Sequence, residues 1–176
     1  MDPAQEKIKF ILELFNSNKF IETKKEIDRQ LIIYSKSSVL FNILGAVLVE
    51  LNKPQEAIEN YKKSIKINPN YAQAYNNLGV ALKAQGSLEK SVIAYRQAVQ
   101  IDPEFADAYY NLGCLFQEKG KLEDSIRAYS EVLKINPEYH IEVYNNLGLA
   151  LREQDGFEES VQVYQQAIEI KPDYAE

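Results

Sequence analysis

Apolar and polar positions follow one another along this chain with helical spacing. In residues 71–85, Tyr71, Ala74, Tyr75, Leu78 and Leu82 fall on one face of a helix. Gly86 and Ser87 break the pattern, with Ser87 at an N-cap position. It resumes as Leu88, Val92, Tyr95 and Val99, and Pro103 stops it, because the residue before a proline disfavours helical geometry. The stretch therefore reads as a pair of helices.

The pair recurs. Gly45, Gly79, Gly113 and Gly148 are separated by steps of 34, 34 and 35 residues, and the leucine before each glycine steps with it. Tyr61, Tyr95, Tyr129 and Tyr164 keep the same register, as do Pro69, Pro103, Pro137 and Pro172. Four markers in one register predict a solenoid of repeated helical pairs. A glycine inside a helix costs about 1 kcal/mol relative to alanine. That cost is offset if the glycine lets a second helix approach. Ala57, Ser91, Ser125 and Ser160 stand at the matching positions, so glycine against alanine or serine is the expected crossing. Tyrosines and leucines are expected to fill the space between stacked pairs.

Tyr75, Leu78, Gly79, Ser91, Tyr95, Ala98 and Pro103 together resemble the signature of the tetratricopeptide repeat family. The resemblance covers residues 38–71, 72–105, 106–139 and 141–174. Residues 4–37 read as a degenerate first unit, with Ile11 in place of the glycine and Ser35 in place of the proline. Residues 175–176 begin a further, truncated unit. The resemblance implies one all-α domain over residues 1–176: about ten helices in five antiparallel pairs, wound as a right-handed superhelix. His140, an extra loop residue, and Val132, in place of a small residue, are expected to alter the winding locally.

Asparagine recurs beside the glycines, at Asn42, Asn76 and Asn145 and at Asn77, Asn111 and Asn146. It costs roughly half a kcal/mol against alanine inside a helix, so its repetition asks for a compensating role. In the family the first helix of each pair lines the concave side. By resemblance, Asn77, Asn111 and Asn146 form a ladder along that groove. Each amide offers two donors and an acceptor, which suits the backbone of an extended peptide. This is similar to the repeats of O-GlcNAc transferases, and the stretch FADAYYNLG at 105–113 is the part most like them. The competing reading is that these amides only tie neighbouring helices together. Tyr110 replaces an asparagine and either stacks on a ligand or fills a gap. Gln117 also lies on the presumed groove, with Lys83 and Arg152 as charged selectors. The carboxylate clamp of co-chaperone relatives needs paired basic residues, and Gln73/Asn77, Asp107/Asn111 and Glu142/Asn146 do not supply them.

Composition narrows the function classes. A net charge of −6 and a pI near 5.0 argue against a nucleic-acid partner. No window is long and apolar enough to span a membrane, and the first twenty residues lack a signal-peptide pattern. A single cysteine precludes an internal disulfide. These features set a cytoplasmic default. Cys114 and His140 are the only residues of their types, too few for a usual zinc site, and no phosphate-loop motif occurs. No cofactor, metal or catalytic residue is expected, and the chain reads as a non-enzyme.

Phe157, Val161, Tyr164 and Ile168 fall at i, i+4, i+7 and i+11 on the last helix, an apolar stripe without a following helix to cover it. Either the chain is a piece of a longer protein or this face pairs with another chain. The leading expectation is a protein–protein interaction module binding an extended peptide. The alternatives are a substrate-recruiting arm of a larger enzyme, such as a glycosyltransferase, and a scaffold that self-associates through its last helix.

Overall fold

The computed structural model describes residues 2–171. Pro172 and Tyr174, and the truncated unit expected at 175–176, lie outside the described residues. Among the described residues there are ten α-helices and no strands. They are α1 Gln5–Asn16, α2 Phe20–Ile33, α3 Ser38–Glu50, α4 Pro54–Ile67, α5 Ala72–Ala84, α6 Leu88–Ile101, α7 Ala106–Glu118, α8 Leu122–Ile135, α9 Ile141–Glu153 and α10 Phe157–Ile170. The chain divides after Ile101 into two compact units, α1–α6 and α7–α10. Within each unit, helices pair in sequence order: α1 with α2, α3 with α4, α5 with α6, α7 with α8, α9 with α10.

Each pair is closed by a left-handed residue: Asn18, Asn52, Gly86, Gly120 or Asp155. At Gly86 (φ 72°) the amide donates to the Lys83 carbonyl at 2.8 Å, and the Ser87 amide donates to the Leu82 carbonyl at 2.9 Å. This double bond pattern satisfies carbonyls that a helix end leaves open. A Cβ added at Gly86 or Gly120 would meet nothing within 4 Å, so any cost of replacing them is conformational. Asn52 adopts the same geometry at φ 57° and bears the side-chain penalty that glycine avoids. Asn52→Gly is expected to stabilise the chain by up to about 1 kcal/mol, and Gly86→Ala to destabilise it by about 1–2 kcal/mol. Urea midpoints at constant slope read both. The loops between pairs use another device. Asn68, Asp102 and Asn136 each accept an amide hydrogen bond two residues on, from Asn70, Glu104 and Glu138. The prolines that follow them, Pro69, Pro103 and Pro137, cannot continue a helix.

The helical glycines meet a partner the sequence did not single out. A Cβ on Gly79 would lie 2.6 Å from Tyr95 Cε1, and one on Gly113 would lie 2.5 Å from Tyr129 Cε1. Gly45 and Gly148 stand in the same way against Tyr61 and Tyr164. The tyrosine ring, sixteen or so residues on, occupies the space that glycine vacates. The small residue has a different role. Ser91 donates to the Gly79 carbonyl at 2.7 Å and Ser160 to the Gly148 carbonyl at 2.8 Å. Ser125 donates to Leu122 of its own helix instead.

The first pair keeps this geometry with other side chains. Ile11 stands in the glycine's place and Ile27 in the tyrosine's, and both are fully buried in one cluster. Two medium side chains replace the none-and-large combination. Thr23, at the small-residue position, is fully buried and donates to the Lys19 carbonyl. In the second unit Val132 is fully buried in a cluster with Tyr129, Val143 and Leu147.

Candidate functional site: amides on the first helices

In the first unit, α3 and α5 bring four polar side chains into one hydrogen-bonded row. Gln73 Nε2 donates to Asn77 Oδ1 at 3.0 Å, Asn77 Nδ2 donates to Asn42 Oδ1 at 3.0 Å, and Asn42 Nδ2 reaches the Tyr71 hydroxyl at 3.5 Å. Asn42 and Asn76 are buried, whereas Asn77 is half-buried. The amide of Asn77 is thus held from both sides by helix neighbours. These bonds use one of its two N–H donors and one of its two carbonyl lone pairs. Beside it lies a cleft of about 220 Å³, lined by Ala46, Val49, Val80 and Ala84, with Glu50 as its charged residue. Lys83, on the same helix, is half-buried.

In the second unit the corresponding row is aromatic. The amide of Asn146 faces the hydroxyls of Tyr110 and Tyr129 and opposes the rise that burial imposes on their pKa values. The Tyr129 hydroxyl also donates to Gln117 Oε1 at 2.9 Å. Tyr110 lies between Tyr129 and Tyr139, with ring centroids 6.2 and 6.1 Å away. Tyr110 therefore fills space between two rings in the position that an asparagine takes in the first unit. The Tyr139 hydroxyl donates to Asp107. Asn111, Asn145 and Asn146 are half-buried, and Arg152 is exposed. Tyr71 and Tyr139 are members of these rows that the sequence reading did not place among the site residues, and Gln73 entered it only as a residue lacking the charge a clamp needs. The signal of the aromatics was present: Tyr71, Phe105 and Tyr139 recur at steps of 34 residues ahead of α5, α7 and α9, with His140 inserted after the last.

Burial is the first cause that raises the pKa of Tyr61 and of Tyr129. The carboxylate of Glu50 adds to it at Tyr61, and Cys114 and Tyr110 add to it at Tyr129, with Asn146 opposing. A tyrosine of the unfolded chain ionises near pH 10. Because the folded values lie above that, the stability these groups contribute is intact below about pH 10 and falls as pH rises further. Urea midpoints are expected to hold from about pH 7 to 9 and decline above about pH 10. Tyr129→Phe should make the decline shallower. A profile that stays flat to about pH 11 would contradict the assignment.

Cys114 is half-buried next to Tyr110 and Tyr129, and His140 stacks edge-on against Tyr139 at 4.4 Å. Among the described residues no three His, Cys, Asp or Glu side chains converge as a metal site, and no helix is long and apolar enough to cross a membrane. On α10, Phe157, Val161 and Ile168 are exposed. Tyr164 departs from that stripe: it is half-buried, with its ring against Gly148.

The comparisons agree with this architecture. The TPR repeat family pattern matches residues 45–86, 81–120 and 148–176, and the tetratricopeptide repeat pattern matches residues 106–139. The matches cover more than half of the chain, which belongs to the tetratricopeptide repeat family. The crystal structure of MamA is similar, with 25% identity and a TM-score of 0.81 over 93% of this chain and 95% of that one. PilF of Pseudomonas aeruginosa aligns at 20% identity and a TM-score of 0.84, over 94% of this chain and 75% of that one. YrrB, described as a TPR protein with an unusual peptide-binding site, aligns at 20% identity and a TM-score of 0.74 over 98% and 89% of the two chains. No curated protein matches the sequence significantly. The fold is an all-α tetratricopeptide-repeat fold, shared with these structures, and the repeats mark a protein-interaction module.

Proposed function

We propose that the chain binds an extended segment of a partner protein along its first helices, with asparagine amides on the segment's backbone. The observation that carries the reading is the state of Asn77. Its amide is fixed by Gln73 and Asn42, half-exposed, and has a donor and a lone pair to spare. A fixed amide on a helix loses little freedom when a peptide binds, so more of the hydrogen-bond energy remains as affinity. Asn111 and Asn146 take the same part in the second unit. Asn42 and Asn76 stand behind the contact surface, and Gln117 positions Tyr129. Lys83 and Arg152 bias the choice of side chains by charge. YrrB, whose description includes a peptide-binding site, supports the reading by its fold.

The test starts from a peptide of about a dozen residues, selected from a random library by binding to the whole chain. Methylating its backbone nitrogens one at a time removes donors and leaves side chains in place. A backbone-directed site predicts about a fivefold loss at several positions, one hydrogen bond being worth roughly 1 kcal/mol. Affinity that follows side-chain substitutions alone would count against it.

A further inference from the structure

A groove of about 400 Å³ lies among α4, α5 and α6, lined by none of the amide residues above. Ile58, Leu82 and Ala94 are buried at its base, while Ile93 on its wall is 63% exposed. Its charged lining residues are Lys62 and Lys90, both exposed. The groove is therefore apolar at its base and cationic at its rim.

The helix face on α10 has the opposite charge. Phe157, Val161 and Ile168 are 58%, 54% and 45% exposed, at the i, i+4 and i+11 positions of one stripe. The charged residues of α10 are Glu158, Glu159 and Glu169, with no lysine or arginine. In α8 the equivalent positions, Leu122, Ile126 and Leu133, are half-buried, with α9 packed on that helix. An amphipathic helix with spaced apolar anchors and acids of one sign fits a groove of apolar base and basic rim.

We propose that α10 of one copy of this chain seats in the α4–α6 groove of a second copy, its apolar stripe on the groove base and its glutamates toward Lys62 and Lys90. The two surfaces differ, so the contact is heterologous and adds copies head to tail.

Sedimentation of the whole chain over a wide concentration range tests this. The mass of the unaltered chain is expected to rise with concentration, and to rise less at high salt. Ile93→Glu disables the groove and Val161→Glu disables α10. Both positions are more than half exposed, so both variants should keep their helical circular dichroism. Each alone is expected to stay at the monomer mass, and an equal mixture to reach twice that mass and stop. An unaltered chain that remains monomeric throughout would overturn the proposal. So would an Ile93→Glu chain that still self-associates, because α10 would then be pairing with something other than the groove. A mixture that fails to pair would do the same.

Discussion

Gly113→Ala is expected to destabilise the second unit by about 1–3 kcal/mol, although alanine is the better helix former by about 1 kcal/mol. The added Cβ would lie 2.5 Å from Tyr129 Cε1 and 2.6 Å from Cδ1, distances that real Cβ atoms do not keep. The ring has little room to withdraw. Tyr129 is fully buried, its hydroxyl is held by Gln117, and Tyr110 lies against it. The strain therefore passes to the α7–α8 crossing. Tyr129→Leu alone should cost about 3 kcal/mol for the lost ring and its cavity. In the double variant the leucine leaves space for the alanine, so the two losses should fall short of their sum by at least about 1 kcal/mol. Urea unfolding of the four chains gives the cycle. Additive losses would mean that the glycine and the ring are not coupled. The fully buried Ile11 and Ile27 give the natural precedent for sharing that space differently.

The second large effect concerns binding. Replacing Asn77, Asn111 and Asn146 together with alanine is expected to weaken a selected peptide by about tenfold or more. Three backbone hydrogen bonds at roughly 0.5–1.5 kcal/mol each set that scale. Part of any loss could come from disturbed helices, because Asn77 also serves Gln73 and Asn42. Gln73→Ala separates the two causes. It removes the support of Asn77 without touching the proposed contact, and should weaken binding only about two- to fivefold, through a less fixed amide. Helical content should be unchanged in all of these variants. Undiminished affinity in the triple variant would remove the asparagines from the site.

Much of the fold is legible in the sequence because its markers act locally and repeat. Gly86 and Gly120 close turns by their own φ angles, and Pro69, Pro103 and Pro137 each stand in the loop just past a helix end. A fixed register then carries the local rule along the chain. The partner of each helical glycine is less legible. Its identity depends on how two helices cross, and a short side chain on the second helix looked the better match than a tyrosine. Ser91 and Ser160 do approach the glycine, but at its carbonyl, which leaves the Cα side to the ring. The first pair hides its kinship for a related reason. Ile11 and Ile27 together fill the space that a glycine and a tyrosine divide elsewhere, and neither position alone shows it.

The asparagines were legible as a recurrent feature and ambiguous in role, and both readings draw on the same atoms. Asn77 ties α5 to α3 through Asn42, and Asn146 of α9 faces the hydroxyl of Tyr110. Such ties answer why asparagine is tolerated in the helix interior. A tie that consumes half of an amide's bonding capacity also leaves the other half fixed in space. The replacement of an asparagine by Tyr110 fits the same scheme, because a hydroxyl can accept what a carbonyl accepts.

The most direct measurement is a nitrogen–proton spectrum of the asparagine and glutamine side-chain amides, recorded while a selected peptide is added to the whole chain; Gln30 reports on α2, Gln165 on α10 and Gln97 on the α4–α6 groove. The account predicts that the largest shifts fall on Asn77, Asn111 and Asn146, with smaller changes at Asn42 and none along α2 or α10. Shifts confined to the α4–α6 groove or to α10, with these three amides unmoved, would contradict it.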